Sequence, residues 1–291
     1  MSYPKISVVT PSFNQARYLE QAMYSVLGQR YPNLEYIVLD GGSKDGSADI
    51  IKRHEDELAF WRSEPDGGQS AAINEGFRMA TGDILAWLNS DDFYLPGTLF
   101  KVADVLQGTA RTIVHGNCLH FREGARYRVW GPDVVSLQAL LELQYCDFIT
   151  QPSSFWTRDT WEAVGELDNS LHYIMDWDWF ARAQRHGAVF KSVQAPLSAY
   201  RLHEAHKTGT GGAGRMREIE AHYRKYGGDR GAHLLAATRG NLRRRVVRTL
   251  LNWLPPPLQS GIAASATMAV GYPLLSLAYR PKEIRSALWV E

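Results

Sequence analysis

Ile84-Leu85-Ala86-Trp87-Leu88-Asn89-Ser90-Asp91-Asp92 is a run of apolar residues followed at once by polar ones that end in two adjacent carboxylates. A short apolar run with a sharp polar end reads as a buried strand opening into a loop. The same pattern occurs twice earlier. Ile6-Ser7-Val8-Val9-Thr10 is a β-branched run stopped by Pro11, with Asn14 just beyond it, and Tyr36-Ile37-Val38-Leu39 ends at Asp40-Gly41-Gly42-Ser43. Between these strands the apolar residues take helical spacing, over 17–28 (Tyr18, Ala22, Val26), near 47–56 and near 69–80. Strands alternating with helices predict an α/β fold whose mostly parallel sheet is covered by helices. Ligands bind beyond the carboxyl ends of such strands. Asn14, Asp40 and the Asp91-Asp92 pair are therefore expected to converge.

Further along, the spacing predicts strands near 112–117 and 126–130, helices near 137–143 and 158–164, and another helix beginning near Asp176. Gly209 to Gly214 reads as a flexible break between this region and a basic, then apolar, C-terminal stretch. Hydrophobic residues at 45% and charged residues at 22% of the 291 are ordinary globular usage, which excludes disorder and a polytopic membrane protein. Thirty-two Lys and Arg against 31 Asp and Glu give a net charge of +1, so no overall field points to nucleic acid. Cys118 and Cys146 fit neither a metal spacing nor a disulfide framework and read as buried thiols of a reducing compartment. Residues 1–12 lack the features of a secretory signal, and a cytoplasmic protein is expected.

No G-x-G-x-x-G follows the first strand, and no G-x-x-x-x-G-K-[ST] occurs, so phosphate must be handled by other means. A divalent cation held by carboxylates can neutralise a diphosphate, and Asp91-Asp92 at a strand end suits that task. An isolated Asp-Asp is also what a turn, or the cap of the helix near Leu99, would carry.

From about 5 to 208 the order of motifs resembles glycosyltransferase family 2, with the GT-A fold. Thr10-Pro11-Ser12-Phe13-Asn14 looks like the family's opening nucleotide-binding loop, and Asp40-Gly41-Gly42-Ser43-Lys44-Asp45-Gly46 resembles its D-[DG]-G-S-x-D-G turn. Asp66 and Gln69 look like the next donor-side contacts. Asn89-Ser90-Asp91-Asp92 is similar to the D-x-D region whose aspartates hold metal and ribose. Gly41 and Asn89 depart from the family pattern, each standing where many members carry Asp; an Asn carbonyl is still an adequate ligand for a hard cation or a ribose. The stretch from Gly165-Glu166-Leu167-Asp168 onward resembles the acceptor half, with Asp176 matching the family's catalytic base. Arg201-Leu202-His203 and Lys207-Thr208 look like the closing loop, where a histidine approaches the metal and basic residues the diphosphate.

The resemblance thus implies a GT-A domain over 1–208, with a donor half to about 117 and an acceptor half over 118–208. Pro11, Ser12, Phe13, Asn14, Asp40, Asp66, Gln69, Asn89, Ser90 and Asp91 would contact the donor. Asp91, Asp92 and His203 would hold Mg²⁺ or Mn²⁺, and Asp176 would be the base. The implied reaction is inverting transfer from a UDP-, GDP- or dTDP-sugar to a hydroxyl of a glycan or lipid-linked acceptor. A nucleotidyltransferase would need a glycine-rich loop with Arg and Lys after the first strand, and a glycan-binding protein without turnover could keep the same fold. Trp156, Trp177 and Trp179 could face sugar rings, although core packing is the commoner use of such residues. Arg239, Arg243, Arg244, Arg245 and Arg248 precede an uncharged run over 249–279. Its prolines and glycines argue against a full span, and 239–291 reads as a peripheral membrane contact at the cytoplasmic face, or alternatively as helices packed on protein.

Overall fold

The computed structural model describes residues 3–123, 128–130, 149–204, 206–207 and 211–238. The expected helix near 137–143, Cys146 and the stretch 239–291 lie outside them. Two compact units are present, and the first holds every candidate site residue.

The described strands of this unit are β1 (Ile6–Ser12), β2 (Leu34–Asp40), β3 (Phe60–Ser63), β4 (Ile84–Trp87), β5 (Phe93–Tyr94), β6 (Thr112–Phe121), β7 (Arg128–Trp130), β8 (Ser154–Thr157) and β9 (Val189–Arg201). The described helices are α1 (Ala16–Leu27), α2 (Ser47–Lys52), α3 (Gln69–Met79), α4 (Thr98–Leu106), α5 (Arg158–Val164) and α6 (Met175–Arg185). One sheet runs in the order β3-β2-β1-β4-β8-β6-β9-β5, with β7 on β6. Strands β3, β2, β1 and β4 are mutually parallel, while β8 enters antiparallel to both β4 and β6. The parallel half is the part that alternation with helices predicts.

Pro11 does not stop the first strand. It pairs with Leu39, and Ser12 pairs with Asp40. The pairing with β4 ends at Val9 and Trp87, where Leu88 N–H donates to the Val9 carbonyl at 2.9 Å. Backbone groups alternate in direction along a strand, so Pro11 turns its missing N–H toward the side that β4 has already left, where no ladder bond is lost.

Helix α1 buries Tyr18, Leu19, Ala22, Met23 and Val26, a single stripe of the helix. Its first N–H, from Ala16, has no partner within the helix and is taken by Asp45 Oδ2 at 2.9 Å, which ties the start of α1 to the loop after β2. Helix α3 lies so close to β1 that a methyl group on Gly76 would meet Val9 Cγ1 at 2.5 Å. Trp87, Trp156, Trp161, Trp179, Phe77 and Phe180 form one continuous ring cluster, with Trp156 and Trp179 centroids 4.7 Å apart. Trp156, Trp177 and Trp179 are all buried, so they serve the core. Cys118 is a free buried thiol, pushed up to about 12 by burial.

At the amino ends of the strands, Glu35 accepts from Lys5 Nζ, Ser7 Oγ, Thr81 N–H and Thr81 Oγ1 at 2.5–2.6 Å. This joins β2 to β1 and to the loop entering β4. The second unit contains α7 (Gly212–Thr238), which starts within the expected Gly209–Gly214 break and is kinked at Gly228. None of the described helices is long and apolar enough to cross a membrane.

Candidate active site

The carboxyl ends of β1, β2 and β4 open on one edge of the sheet, and the loops there bind one another closely. Asn14 sits in the left-handed region at φ 52°, a conformation Asn tolerates better than most residues. Its N–H donates to Ser43 Oγ at 2.7 Å and its side-chain carbonyl accepts from Lys44 N–H at 3.0 Å. Asn14 therefore braces the first loop against the second. Asp40 is buried and accepts from Ser43 N–H, Ser43 Oγ and Ser63 Oγ. Ser12 and Ser90 are buried close to these strand ends, and among the described residues Ser12 Oγ has no hydrogen-bond partner.

Phe13 stands 62% exposed at the rim, a large apolar surface left uncovered. A Cβ on Gly41 would meet the Phe13 ring at 3.2 Å and both Asp66 carboxylate oxygens at 3.2–3.3 Å. The glycine at 41 is thus what lets Phe13 and Asp66 approach each other. Asp66 is held in its own loop by Gly68 N–H at 2.7 Å.

Gln69 opens α3 and spans two elements, donating from Nε2 to Asn89 Oδ1 at 2.8 Å and accepting from Lys207 Nζ at 2.7 Å. Asn89 in turn faces Asp92 Oδ2 and Gln151 Oε1, and Gln151 is anchored on the Trp87 carbonyl at 2.7 Å. Asn89 is therefore engaged in an amide network; a carboxylate in its place could not donate to Asp92 and Gln151.

The adjacent aspartates behave differently. Asp91 Oδ2 lies 3.0 Å from His203 Nε2, with 20% and 11% of the two side chains exposed. Asp92 is buried, accepts the Arg201 N–H at 3.1 Å, and is driven well above the usual carboxylate range, first by burial and then by the charge of Asp91. Neither residue caps a helix, since α4 begins at Thr98 after Gly97. Of the three residues expected to hold a cation, the structure pairs Asp91 with His203 and turns Asp92 inward. Among the described residues no group of three His, Cys, Asp or Glu is gathered as a cation cage. A partly exposed carboxylate and imidazole still fit Mg²⁺ or Mn²⁺, because such ions commonly take one or two protein ligands and complete their shell with phosphate oxygens and water.

Asp176 is the second residue of α6. Its Oδ1 accepts the Trp177 N–H at 3.0 Å, and Ile174, not Asp176, occupies the cap position. Asp178 is buried and paired with Arg182 at 2.9 Å, and Arg182 also donates to the carbonyls of Val164 and Glu166. Asp178 is therefore part of the scaffold. The loop leading to α6 is fastened to α3, with Asn74 bonded to both the N–H and the carbonyl of Leu167.

Gln151 and Tyr18 also belong to this region and are not legible in the sequence as site residues. Gln151-Pro152 precedes a strand too short to register as one. Tyr18 reads only as an apolar position of α1, whereas Arg201, expected in the closing loop among basic residues that approach the diphosphate, is buried and bonded to Asp91, Asp92, Glu123 and Gln21.

A parallel sheet that turns mixed beyond β4, carrying Asp40 and Asp91 at its strand ends and, beside the latter, a histidine from the segment just after β9, defines a GT-A glycosyltransferase domain. Residues 7–158 match the sequence profile of Glycosyl transferase family 2. The chain belongs to that family. It is 27% identical over 230 residues to an uncharacterized glycosyltransferase of Rickettsia typhi, covering 75% of this chain and 70% of the relative. It is 33% identical over 184 residues to one of Mycobacterium tuberculosis, covering 62% and 70% respectively. Its fold is similar to S. aureus TarS 1-349 in complex with UDP-GlcNAc, with a TM-score of 0.60, 16% identity, and coverage of 99% of this chain and 90% of the other. It is similar also to the mannosyltransferase PcManGT of Pyrobaculum calidifontis in complex with GDP-Man and Mn²⁺, with a TM-score of 0.60, 17% identity, and coverage of 99% and 88%.

Proposed function

We propose that this glycosyltransferase moves a sugar, with inversion, from a UDP-, GDP- or dTDP-sugar to a hydroxyl of a glycan or lipid-linked acceptor, using Mg²⁺ or Mn²⁺. The observation that carries the proposal is the meeting of Asp91 with His203 and of Gln69 with Lys207 at the same strand-end edge. Those four side chains supply a cation pair and a cationic amine for a diphosphate, and two solved structures of the same fold hold UDP-GlcNAc and GDP-Man with Mn²⁺.

In this reading Phe13 offers an apolar face to the base, and Asp40 and Asp66 accept hydrogen bonds from base or ribose. A cation held by Asp91 and His203 would neutralise the charge that grows on the departing diphosphate. Lys207 adds a donor to the same oxygens. Asp176 accepts the proton of the acceptor hydroxyl as the new C–O bond forms and the bond from the anomeric carbon to the phosphate oxygen breaks. The domain ends near 208, and residues 239–291 hold the protein peripherally on the cytoplasmic face of a membrane, where a lipid-linked acceptor would be presented.

The test is a panel of sugar nucleotides incubated with candidate acceptors, read as nucleoside diphosphate release and as a glycosylated product of inverted anomeric configuration. EDTA should abolish turnover and Mn²⁺ or Mg²⁺ restore it. Formation of a nucleoside triphosphate and a sugar 1-phosphate when pyrophosphate is supplied with the sugar nucleotide would instead identify a nucleotidyltransferase, and binding without turnover would identify a glycan-binding protein.

A further inference from the structure

Arg201 closes β9 as a nearly buried cation, 4% exposed, and its backbone N–H and side-chain nitrogens reach different neighbours. Its N–H donates to Asp92 Oδ1 at 3.1 Å and its Nε to the Asp91 carbonyl at 3.1 Å. One terminal nitrogen donates to Glu123 Oε1 at 2.8 Å, and the other to Gln21 Oε1 on α1. The guanidinium also lies over the Tyr18 ring at 4.7 Å and the Phe121 ring at 4.9 Å. Tyr18 in turn packs on the His203 ring, with centroids 4.8 Å apart. Burying a cation is costly unless it is bonded on all sides, so this arrangement tolerates only small displacements.

Both members of the Asp91–His203 pair thereby depend on one fixture. Arg201 holds the Asp91-Asp92 turn from behind, its N–H on the Asp92 carboxylate and its Nε on the Asp91 carbonyl, and it fixes the Tyr18 ring on which His203 packs. We propose that Arg201 and Tyr18 are positioning residues that set the separation of Asp91 and His203 and so tune their affinity for the divalent cation that accompanies a nucleoside diphosphate. The proposal rests on reading Asp91 and His203 as the cation pair. Neither residue touches donor or cation in this role; each acts through the ligand it orients. Lysine at 201 keeps the charge but lacks the planar fork that spans Asp91, Glu123 and Gln21. Leucine at 18 keeps apolar bulk in α1 but removes the ring between Arg201 and His203.

Mn²⁺ is titrated into the full-length protein in the presence of saturating UDP, GDP or dTDP, with free Mn²⁺ followed by electron paramagnetic resonance and folding checked by circular dichroism. Arg201→Lys and Tyr18→Leu should each raise the half-saturating Mn²⁺ by about 10- to 100-fold, the range typical of residues that orient metal ligands. Tyr18→Phe should stay near wild type, because the ring remains. Tyr24→Leu, which removes an exposed aromatic from the same helix, should also leave Mn²⁺ uptake unchanged. In an Asp91→Asn background Tyr18→Leu should have little further effect. Should Arg201→Lys not fold, Tyr18→Leu and its Asp91→Asn combination decide the matter alone. Folded Tyr18→Leu protein with wild-type Mn²⁺ affinity overturns the positioning role while leaving the cation pair intact. Wild-type protein that takes up no Mn²⁺ with any of the three nucleotides overturns the cation pair itself, and this inference with it.

Discussion

Replacing Glu35 by glutamine should cost stability in a pH-dependent way that can be worked out from its four donors. Burial alone would raise the Glu35 carboxyl, but hydrogen bonds from Lys5, Ser7 and Thr81 outweigh it and hold the group at about 2, against an ordinary 4.5. Each pKa unit corresponds to about 1.4 kcal/mol, so ionised Glu35 contributes about 3 kcal/mol. Because the folded value is lowered, that contribution is complete above the unfolded value and is lost as pH falls through about 4.5 toward about 2. An amide in place of the carboxylate could accept at one oxygen only, and its NH₂ would face donors such as the Thr81 N–H. The expected loss at neutral pH is therefore about 2–4 kcal/mol. Equilibrium unfolding of the Glu35→Gln variant in guanidinium, followed by the fluorescence of the buried tryptophans, should show this gap at pH 7 and show it shrinking as wild type weakens toward pH 3. Donor turnover by the folded variant should be unchanged, since Glu35 lies at the amino ends of the strands, away from the site. A gap of constant size from pH 7 to pH 3, or none at pH 7, would refute the reasoning.

Asp176→Asn should keep its melting temperature within the effect of one first-turn charge, about 0.3–1 kcal/mol, while transfer falls on the order of 10²-fold or more with donor affinity retained; near-normal transfer by the folded variant removes Asp176 as the base. Gly76→Ala is expected to lower the denaturation midpoint, because a methyl group 2.5 Å from Val9 Cγ1 overpacks the α3–β1 contact by about 1–3 kcal/mol and outweighs the usual helical gain of about 1 kcal/mol for alanine. A midpoint above wild type, measured by urea unfolding, would contradict that packing. Full-length protein should sediment with anionic liposomes at low salt and be released as salt rises, whereas protein truncated before 239 should stay in the supernatant; equal behaviour of the two sinks the membrane role of the tail.

The parallel half of the sheet is legible because β1, β2 and β4 are buried on both faces and so carry short runs rich in apolar and β-branched residues. Of the later strands, β6 and β7 fall where the spacing predicts them, near 112–117 and 126–130, whereas β8 and β9 are not legible. Strand β8 is four residues long, and β9 carries Pro196 amid residues of mixed exposure, so neither leaves a clear period in the sequence. Asp40 and Asp91 can be placed at strand ends from the sequence, but the division of labour between Asp91 and Asp92 cannot. It arises because Arg201 N–H, from a strand over a hundred positions away, draws one carboxylate inward and leaves the other to His203. Asn89 reads in the sequence as a substitute ligand, and its bonds to Gln69, Asp92 and Gln151 are equally invisible without the topology. Pro11 reads as a strand stop, yet whether a proline ends a strand depends on which neighbour has already departed.

The placement of Arg201 and His203 at the end of the last long strand also has a temporal meaning. Asp91 and His203 are 112 positions apart. At a synthesis rate of about 5–20 residues per second, the aspartate leaves the ribosome roughly 6–20 s before its partner. During that interval the β1–β4 half can form with its Asp91-Asp92 turn still hydrated, because burying Asp92 without the Arg201 N–H is unfavourable. A growing chain can therefore fold the β1–β4 half well before its Asp91-Asp92 turn can meet Arg201 and His203. The Asp91–His203 contact is a late acquisition of the nascent domain, made when β9 pairs with β6 and β5.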